Sequence, residues 1–350
     1  MKTPVQNLLG LDWPVIQGPF GGGSTVKLTA LVSNLGGLGS FGAYMMTPDA
    51  IASTIAEIKA ATSKPFNINL WVSDHDPGGL KLSPEEFDQA FALYEPFYKQ
   101  FGLDKPAPPK ASYHPRFEDQ VEVILETRPP VFSFVFGIPS TSILSECRTR
   151  GIVTVGAATT LPEAEALDTA GVDCIIASGF EAAGHRPSFL ARAEDSLMGT
   201  MALPRVVASK INTPVIPAGG IADGEGVRAA LQLGAGAAQI GTAFFACEES
   251  GASELQRAAL FDQRARTSKL TRAFSGRLAR GIPNRTMLEM EKLQGRLPPF
   301  PVHSWFMAKI RAAALTAGDP DWVSLYGGQA AALVKHRAAA DLMKNITGGL

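Results

Sequence analysis

The sequence has little cysteine, almost no net charge and no long apolar run, and each of these absences excludes a class of protein. Its three cysteines, Cys147, Cys174 and Cys247, are odd in number and far apart, which argues against a disulfide scaffold. Such cysteine usage is typical of a reducing compartment, so we expect a cytoplasmic protein. The 32 basic and 33 acidic residues leave a formal net charge of −1, which gives no electrostatic reason to expect nucleic acid as a partner.

No stretch of the chain is apolar over the roughly 18 residues that a membrane-spanning helix needs. Near the N-terminus, Pro4, Gln6, Asn7 and Asp12 interrupt any apolar run of the signal-peptide type. We therefore expect neither a membrane span nor a secretory leader. The chain also lacks the His/Glu spacing of a zinc site and the Gly-x-Ser-x-Gly turn of a serine hydrolase, and we predict no metal.

Short apolar runs and glycine are what the chain has in quantity. Of its 350 residues, 45% are hydrophobic and 35 are glycine, and many of the glycines follow apolar runs, where a backbone turns tightly or approaches a ligand. Eight such runs alternate with amphipathic helical segments, which is the pattern of a parallel sheet. We predict strands over Val15–Gln17, Gly37–Ser40, Phe66–Leu70, Val131–Val135, Val153–Val155, Cys174–Ala177, Val215–Ala218 and Ala238–Gly241.

Eight strand–helix units within residues 1–250 match the size of a TIM (β/α)8 barrel. The alternative, a doubly wound open sheet, usually has fewer strands and a single G-x-G-x-x-G fingerprint near its start. Here Gly21-Gly22-Gly23 follows the first strand without that spacing. We therefore predict an α/β protein with a TIM barrel over residues 1–250.

Two further regions interrupt or follow the barrel pattern. A long insertion at about 72–120 is rich in proline and aromatic residues, and we expect it to form a wall of the active site. Residues 251–320 predict helices, which we interpret as a cap over the mouth of the barrel. We expect residues 321–350 to form a C-terminal helix that packs back on the barrel.

The residues that follow the predicted strands matter most, because barrel active sites form at the carboxyl ends of the strands. His185 and Arg186 lie in a glycine-containing loop after the sixth strand. An imidazole has a pKa near neutrality and suits proton abstraction from a weak carbon acid. A positive neighbour such as Arg186 would favour the neutral, basic form. The alternative is a structural or solvated histidine, but the position after a buried strand favours catalysis by His185.

Two glycine-rich turns follow the seventh and eighth strands and suit a phosphate. At Gly219-Gly220 and Gly241-Thr242, backbone N–H groups and a hydroxyl could point at phosphate oxygens; alternatively, these glycines only serve tight turns. Gly18-Pro19-Phe20-Gly21, Asn69 and Ser178 would then face something flat with polar edges. A flavin fits that description, although a nucleotide or a sugar phosphate fits these residues equally well.

The other histidines have a weaker case for function. We interpret His303, which lies in the predicted cap, as a candidate substrate contact. His75 and His114 lie in the long insertion and His336 lies in the C-terminal segment, and we expect all three to be solvated.

The stretch 177–186, which reads Ala-Ser-Gly-Phe-Glu-Ala-Ala-Gly-His-Arg, resembles the motif around the catalytic histidine of the nitronate monooxygenases, formerly called 2-nitropropane dioxygenases. Segments 15–19, 214–224 and 239–244 are also similar to segments of that family. Segments 271–277 and 327–330 look like the first of the family's two classes.

This resemblance implies a TIM barrel that holds FMN non-covalently beneath a helical cap. It implies oxidation of alkyl nitronates by O2 to a carbonyl compound and nitrite, with His185 as the base. Neutral nitroalkanes are a possible wider class of substrate. Its implied cofactor contacts are Gly18, Pro19, Phe20, Gly21, Asn69, Ser178, Ala183, Gly184, Gly219, Gly220, Gly241, Thr242 and Gln329. Its implied substrate contacts are Val135, His303 and Tyr326. We expect a monomer or a homodimer.

The sequence departs from the family pattern at several positions. Val135 stands where the family often has histidine, Ala183 where a glycine is usual, Pro187 where a glycine is usual, and Tyr326 where tryptophan is common. We expect these changes to leave FMN binding intact and to affect both the choice of substrate and the activity on nitronates.

Two alternative functions use the same fold. One is another FMN barrel oxidoreductase that accepts hydride from NADH or NADPH, of the quinone reductase or enoyl-ACP reductase type. The other is a flavin-free barrel that binds a phosphorylated metabolite as an isomerase, a lyase or a sensor.

Overall fold

A parallel sheet of eight strands forms the centre of the molecule. The structure is a computed structural model, and it describes residues 2–72, 82–109 and 112–350. The eight strands are β1 Val15–Gln17, β2 Gly39–Gly42, β3 Phe66–Trp71, β4 Val131–Val135, β5 Val153–Ala158, β6 Cys174–Ser178, β8 Val215–Ala218 and β9 Ala238–Ile240. They are hydrogen-bonded in the order β1-β9-β8-β6-β5-β4-β3-β2, and every pair is parallel.

The first and last strands of this order also meet, so the sheet closes on itself. Ile16 and Leu38 form a parallel bridge. The backbone of Leu38 donates to Val15 O and accepts from Gln17 N, both at 2.9 Å. Helices follow the strands and pack outside them, with Ile55, Phe132 and other side chains in a shared core. The predicted TIM barrel is confirmed.

The barrel helices begin where the sequence has capping residues. Thr47, Thr160 and Asp223 each accept a backbone N–H from the first turn of the helix that they precede. The helices of residues 1–250 outside the insertion are α1 Pro4–Leu9, α2 Val26–Asn34, α3 Pro48–Ala61, α7 Thr141–Thr149, α8 Leu161–Ala170, α9 Leu203–Ala208, α10 Gly224–Gln232 and α11 Thr242–Phe245.

One predicted strand lies in a different place from the observed one. The sequence predicts Gly37–Ser40, whereas β2 covers Gly39–Gly42. A Cβ on Gly39 would lie 1.9 Å from Thr29 O, and a Cβ on Gly42 would lie 2.8 Å from the carbonyl carbon of Phe20. These glycines therefore allow close packing within a buried strand, although glycines of this kind had suggested a strand end.

The long insertion and the cap segment (residues 251–320) share one buried cluster. Helices α4 Pro84–Ala92, α5 Glu95–Gln100 and α6 Phe117–Thr127 come from the insertion and its end, whereas α12 Glu254–Phe261, α13 Arg285–Glu291 and α14 Val302–Ala317 come from the cap segment. Phe87 and Tyr94 pack with Phe306 and Met307 of α14. The part of the insertion at 73–81, which includes His75, lies outside the described residues.

A second, smaller sheet joins the cap segment to the loop after β6. It contains β7 Gly184–His185, β10 Lys269–Thr271 and β11 Ala279–Gly281, in the antiparallel order β10-β11-β7. The cap segment was predicted as helices alone, and that expectation was wrong. Strands of two or three residues are too short for an alternating pattern to show in the sequence.

The C-terminal helix α15 Ala339–Thr347 packs against the barrel helices α2 and α10. Leu342, Met343 and Ile346 supply its buried face and meet Leu28 and Val227. Across the described ranges, no helix combines the length and the hydropathy needed to cross a membrane.

Candidate active site

A cavity with a volume of about 700 Å³ lies where the barrel strands end. All but two of the site residues predicted from the sequence line it, although they come from segments far apart in the chain. The lining residues among them are Gly18, Pro19, Phe20, Gly21, Asn69, Val135, Ser178, Ala183, Gly184, His185, Gly219, Gly220, Gly241, Thr242 and Tyr326. Gln329 and His303 do not line it.

His185 is held by the small second sheet rather than by the barrel itself. Its backbone pairs with Ala279 of β11, and Gly184 before it turns the chain at a φ of +74°, a conformation that favours glycine. The imidazole packs edge-on against Trp71, with ring centroids 5.0 Å apart, and lies 5.7 Å from the ring of Tyr326. The second sheet thus fixes the backbone position of His185, whereas Trp71 and Tyr326 pack against its ring.

Ser275 is the hydrogen-bond partner of the His185 ring. Its Oγ lies 2.7 Å from Nε2 of His185 and accepts the backbone N–H of Arg277 at 3.3 Å. The other ring nitrogen, Nδ1, makes no hydrogen bond to any residue that the structure describes. When Nε2 carries the proton and donates to Ser275, the lone pair of Nδ1 is available to a molecule in the cavity.

The surroundings of His185 favour the neutral form of its imidazole. Burial lowers the pKa of its imidazole to about 3, and the positive charges of Arg277 and Arg311 act in the same direction. The sequence had suggested Arg186 as the positive neighbour with this effect. The cations that act on the ring are instead these two arginines of the cap segment, which sequence proximity could not reveal.

Arg186 has a different task, which is to hold the loop that leads to His185. It is buried, and its guanidinium donates to Gly179 O at 2.6 Å and to Ser178 O and Ser196 O at 2.9 Å. Because three backbone carbonyls share one cation, the loop after β6 is cross-linked at its start.

The glycine turn after β8 presents backbone N–H groups at the cavity. Gly219 and Gly220 have φ values of +108° and +70°, and a Cβ on Gly219 would lie 2.8 Å from Ala182 N. The N–H groups of Gly219, Gly220 and Ala183 donate to no acceptor within the described residues. Such a group of donors suits an anionic oxygen ligand.

Thr242 extends this set of donors. Its Oγ accepts the backbone N–H of Gly328 at 3.1 Å, so the hydroxyl proton stays available for a ligand. A Cβ on Gly328 would lie 2.9 Å from Glu181 O, so the chain after β11 closely approaches the loop after β6.

Polar groups also line the part of the cavity next to β1, β3 and β9. Asn69 donates its Nδ2 to Ser133 Oγ at 2.9 Å, and Oε1 of Gln239 is buried without a hydrogen-bond partner. Phe20 uses its backbone N–H to bond Ser24, so it offers the cavity its ring and not an amide. An orphaned buried acceptor such as Gln239 Oε1 implies a donor on the molecule that fills the cavity.

His303 is a structural residue, which corrects the expectation that it contacts substrate. It is fully buried, its Nδ1 lies 2.6 Å from the hydroxyl of Tyr94, and its Nε2 lies 2.8 Å from Ala273 O. Since a carbonyl only accepts, Nε2 donates and Nδ1 accepts from the tyrosine. Burial lowers the pKa of His303 to about 4, although the bond to Ala273 acts in the opposite direction.

Gln329 is the other predicted contact outside the cavity. Its side chain is exposed, and its backbone N–H donates to Glu181 O at 3.0 Å. It ties the chain after β11 to the loop after β6, while its neighbours Gly328 and Ala330 line the cavity.

Several functional candidates escaped the sequence analysis, and most come from outside the barrel. Arg277 lies over the ring of Phe136 at 4.0 Å and over that of Phe300 at 4.8 Å. Segment 271–277 supported the family resemblance in the sequence analysis, but none of its residues was given a role. The same is true of Gln239, which lies in segment 239–244. The missed candidates are Gln239, Ser275, Arg277, Phe300 and Arg311.

Comparison with known proteins decides the family. A family model for nitronate monooxygenase matches residues 2–349 of the chain. The chain belongs to the nitronate monooxygenase family. The nitronate monooxygenase of Paraburkholderia phytofirmans is 41% identical over 348 residues, which cover 99% of this chain and 94% of the relative. A probable nitronate monooxygenase of Staphylococcus aureus is 36% identical over 346 residues, which cover 99% of this chain and 96% of that one.

Solved structures agree with this assignment. The nitroalkane oxidase of Streptomyces ansochromogenes superposes with a TM-score of 0.89 and 32% identity, covering 99% of this chain and 97% of that chain. FabK from Thermotoga maritima superposes with a TM-score of 0.76 and 27% identity, covering 100% of this chain and 96% of that chain. This member of the nitronate monooxygenase family is therefore an oxidoreductase enzyme, and nitronate oxidation is the family's activity. The resemblance inferred from the sequence is confirmed.

Proposed function

We propose that this nitronate monooxygenase family member binds FMN non-covalently and oxidises alkyl nitronates with O2 to a carbonyl compound and nitrite. In this proposal, His185 is the base when the substrate is a neutral nitroalkane. One observation carries it most directly: a neutral imidazole and a turn with unpaired N–H groups line the same cavity.

The cavity wall offers partners for both the phosphate and the polar ring edge of FMN. The N–H groups of Gly219, Gly220 and Ala183, with the hydroxyl of Thr242, would hold the phosphate. The unmet acceptor Oε1 of Gln239 would receive a donor from the polar part of the cofactor. When bound, FMN supplies a two-electron acceptor that O2 can reoxidise.

His185 would move the proton that makes a neutral nitroalkane reactive. The α-carbon of a nitroalkane is a weak carbon acid, and the lone pair of Nδ1 can take its proton while Ser275 holds Nε2. The cation formed on the ring is then stabilised by the nitronate anion formed beside it. A substrate supplied as the nitronate needs no such step, and His185 would only orient it.

The first test is anaerobic flavin reduction. The FMN-loaded protein is mixed with propyl nitronate, with NADH and with NADPH in separate cuvettes, and bleaching of the flavin absorbance is followed. We expect bleaching by the nitronate alone. Bleaching by a nicotinamide alone would contradict the proposed substrate, and failure to bind added FMN would contradict the proposed cofactor.

A second candidate function is an FMN oxidoreductase that NADH or NADPH reduces. The likeness to FabK at 27% identity over the whole chain favours keeping it, because the same fold occurs in a protein with another name. The nicotinamide cuvettes separate it from the first proposal.

The role of His185 is tested by His185→Asn. We expect oxidation of neutral 1-nitropropane to fall about a hundredfold or more, since general base catalysis is typically worth roughly 10²–10⁴-fold. Oxidation of pre-ionised propyl nitronate should fall less than tenfold, and FMN should stay bound. His336→Asn, outside the cavity, is the matched control. Equal losses on both substrates would contradict the general-base role.

A further inference from the structure

The cationic side chain in the described lining of the cavity is that of Arg311. Arg311 lies on α14, on the same side of that helix as Ser304, Ala308 and Leu315, which also line the cavity. Its guanidinium donates from Nη1 to Phe274 O at 3.0 Å and from Nη2 to Ser304 O at 3.4 Å. A guanidinium carries five N–H donors, so these two bonds leave donors unused.

Within the described ranges, no carboxylate neutralises the charge of Arg311, because no aspartate or glutamate lies within 4.0 Å of its guanidinium. The acidic residue found in the described lining of the cavity is Glu181, and its carboxylate is bonded to Thr200 N and Oγ at 2.8–3.0 Å. A half-buried cation without a counter-ion is unfavourable, so the site favours an anion.

The geometry of a guanidinium selects the kind of anion. Its planar fork binds two oxygens that share one negative charge, as a carboxylate does. The nitro group of a nitronate has the same planar pair of charged oxygens, whereas a neutral nitroalkane has the pair without the net charge. Arg311 is also close enough to His185 for its charge to act on that ring.

We propose that Arg311 is a specificity-determining residue that binds the two oxygens of the nitronate anion in the cavity. The inference rests on the proposed function for the identity of the anion, but the anion site itself is independent of catalysis. It predicts that the enzyme favours the ionised form of its substrate through this one side chain.

The test uses butyrate, an unreactive planar anion with two oxygens. Its dissociation constant is measured by isothermal titration calorimetry on the FMN-loaded protein for wild type, Arg311→Met and the control Lys309→Met. Lys309 lies on the same helix, is exposed, and does not line the cavity. We expect the dissociation constant to rise at least tenfold in R311M and to stay within twofold in K309M.

Steady-state kinetics then connect the anion site to substrate. In R311M the KM for propyl nitronate should rise by a similar factor, while the KM for neutral 1-nitropropane should change less than threefold. Unchanged butyrate binding in R311M would overturn the proposal. A loss of FMN affinity with unchanged butyrate binding would also overturn it, because the guanidinium would then serve the cofactor.

Arg311→Lys covers the case in which R311M does not fold. Lysine keeps the charge but loses the two-pronged geometry, so we expect butyrate to bind about fivefold more weakly, and unchanged binding would overturn the proposal. Failure of the proposed function can be distinguished from failure of the anion site. If the wild type does not oxidise nitronates but R311M still loses butyrate, the anion site stands and the reaction assigned to it does not.

Discussion

The two walls of the cavity are built in different ways. The barrel wall, formed by the turns after β8 and β9 together with Ala183, presents mostly backbone groups, as at Gly219, Gly220 and Ala183. The cap wall, formed by β7, the segment after β10 and α14, presents side chains, as at His185, Ser275 and Arg311. The barrel wall therefore depends on chain conformation, whereas the cap wall depends on the chemistry of individual residues.

This difference bears on what each wall can recognise. Backbone N–H groups are present whatever the side chain. The barrel wall is therefore sensitive to a Cβ added at one of its glycines and insensitive to most side-chain substitutions at its other positions. The cap wall can change its specificity by a single substitution without altering the barrel. In the proposed function, the barrel wall holds the cofactor and the cap wall selects and activates the substrate.

The sharpest way to break the barrel wall is Gly219→Ala. The residue has a φ of +108°, and the new Cβ would lie 2.8 Å from Ala182 N, so the turn must move. We expect FMN affinity to fall about a hundredfold, or about 2.7 kcal/mol, measured by fluorescence titration of the apoprotein. Gly234→Ala, at a φ of +92° with nothing within 4 Å of the new Cβ, carries the same backbone strain away from the cavity. Equal FMN affinity in both variants would contradict a backbone cradle.

The buried packing that supports the cap wall can be weakened by the substitution His303→Gln. His303 joins Tyr94 to Ala273, so we expect the free energy of unfolding at pH 7.5 to fall by about 2 kcal/mol. Equilibrium urea unfolding measures this, and FMN affinity should change less than threefold. A large loss of FMN affinity would show that the two walls are not separable.

The same variant has a distinctive pH dependence. The pKa of His303 is about 4 in the folded protein, below its ordinary value of 6.5, so between these values the unfolded chain binds a proton that the folded protein does not. Stability therefore falls as the pH drops from 6.5 to 4, by about 3 kcal/mol for this residue. His303→Gln should show a shallower loss between pH 7.5 and 4.5 than the wild type. An equal loss would contradict the buried neutral histidine.

The smallest expected effect comes from Ser275→Ala. Loss of one hydrogen bond to His185 should lower kcat/KM for 1-nitropropane about tenfold, the equivalent of about 1.4 kcal/mol. Propyl nitronate oxidation should change less than twofold, and the pH profile for the neutral substrate should shift. Ser275→Thr keeps the hydroxyl and should restore most of the activity. Failure of threonine to restore it would point to packing rather than to the hydrogen bond.

The sequence was most informative about the barrel wall. Glycines at strand ends have a local physical reason, because a turn into a ligand needs space and a positive φ, and Gly219, Gly220 and Gly184 follow that rule. The fold was equally accessible, since strand and helix periods repeat along the chain. The same local rule misplaced β2, where Gly39 and Gly42 serve packing inside the strand.

The sequence was least informative about the cap wall. Ser275 and Arg311 reach His185 only because the cap segment folds back over the barrel, and no local pattern encodes that contact. His303 had the residue type of a catalytic group, but its partner Tyr94 lies 209 positions away in the chain. Distinguishing a satisfied core histidine from a functional one requires knowledge of both hydrogen-bond partners.

The pairing of His185 with Ala279 has a consequence for attempts to trim or recombine the protein. A chain shortened to residues 1–250 would keep the glycine turns after β8 and β9 but would lose β11, the strand against which β7 is held. In the proposed function, such a minimal barrel would bind FMN without oxidising nitroalkane, so FMN binding alone is a poor guide to function in engineered fragments. In the proposed function, the catalytic unit is therefore the barrel joined to a hairpin about 90 residues downstream of His185.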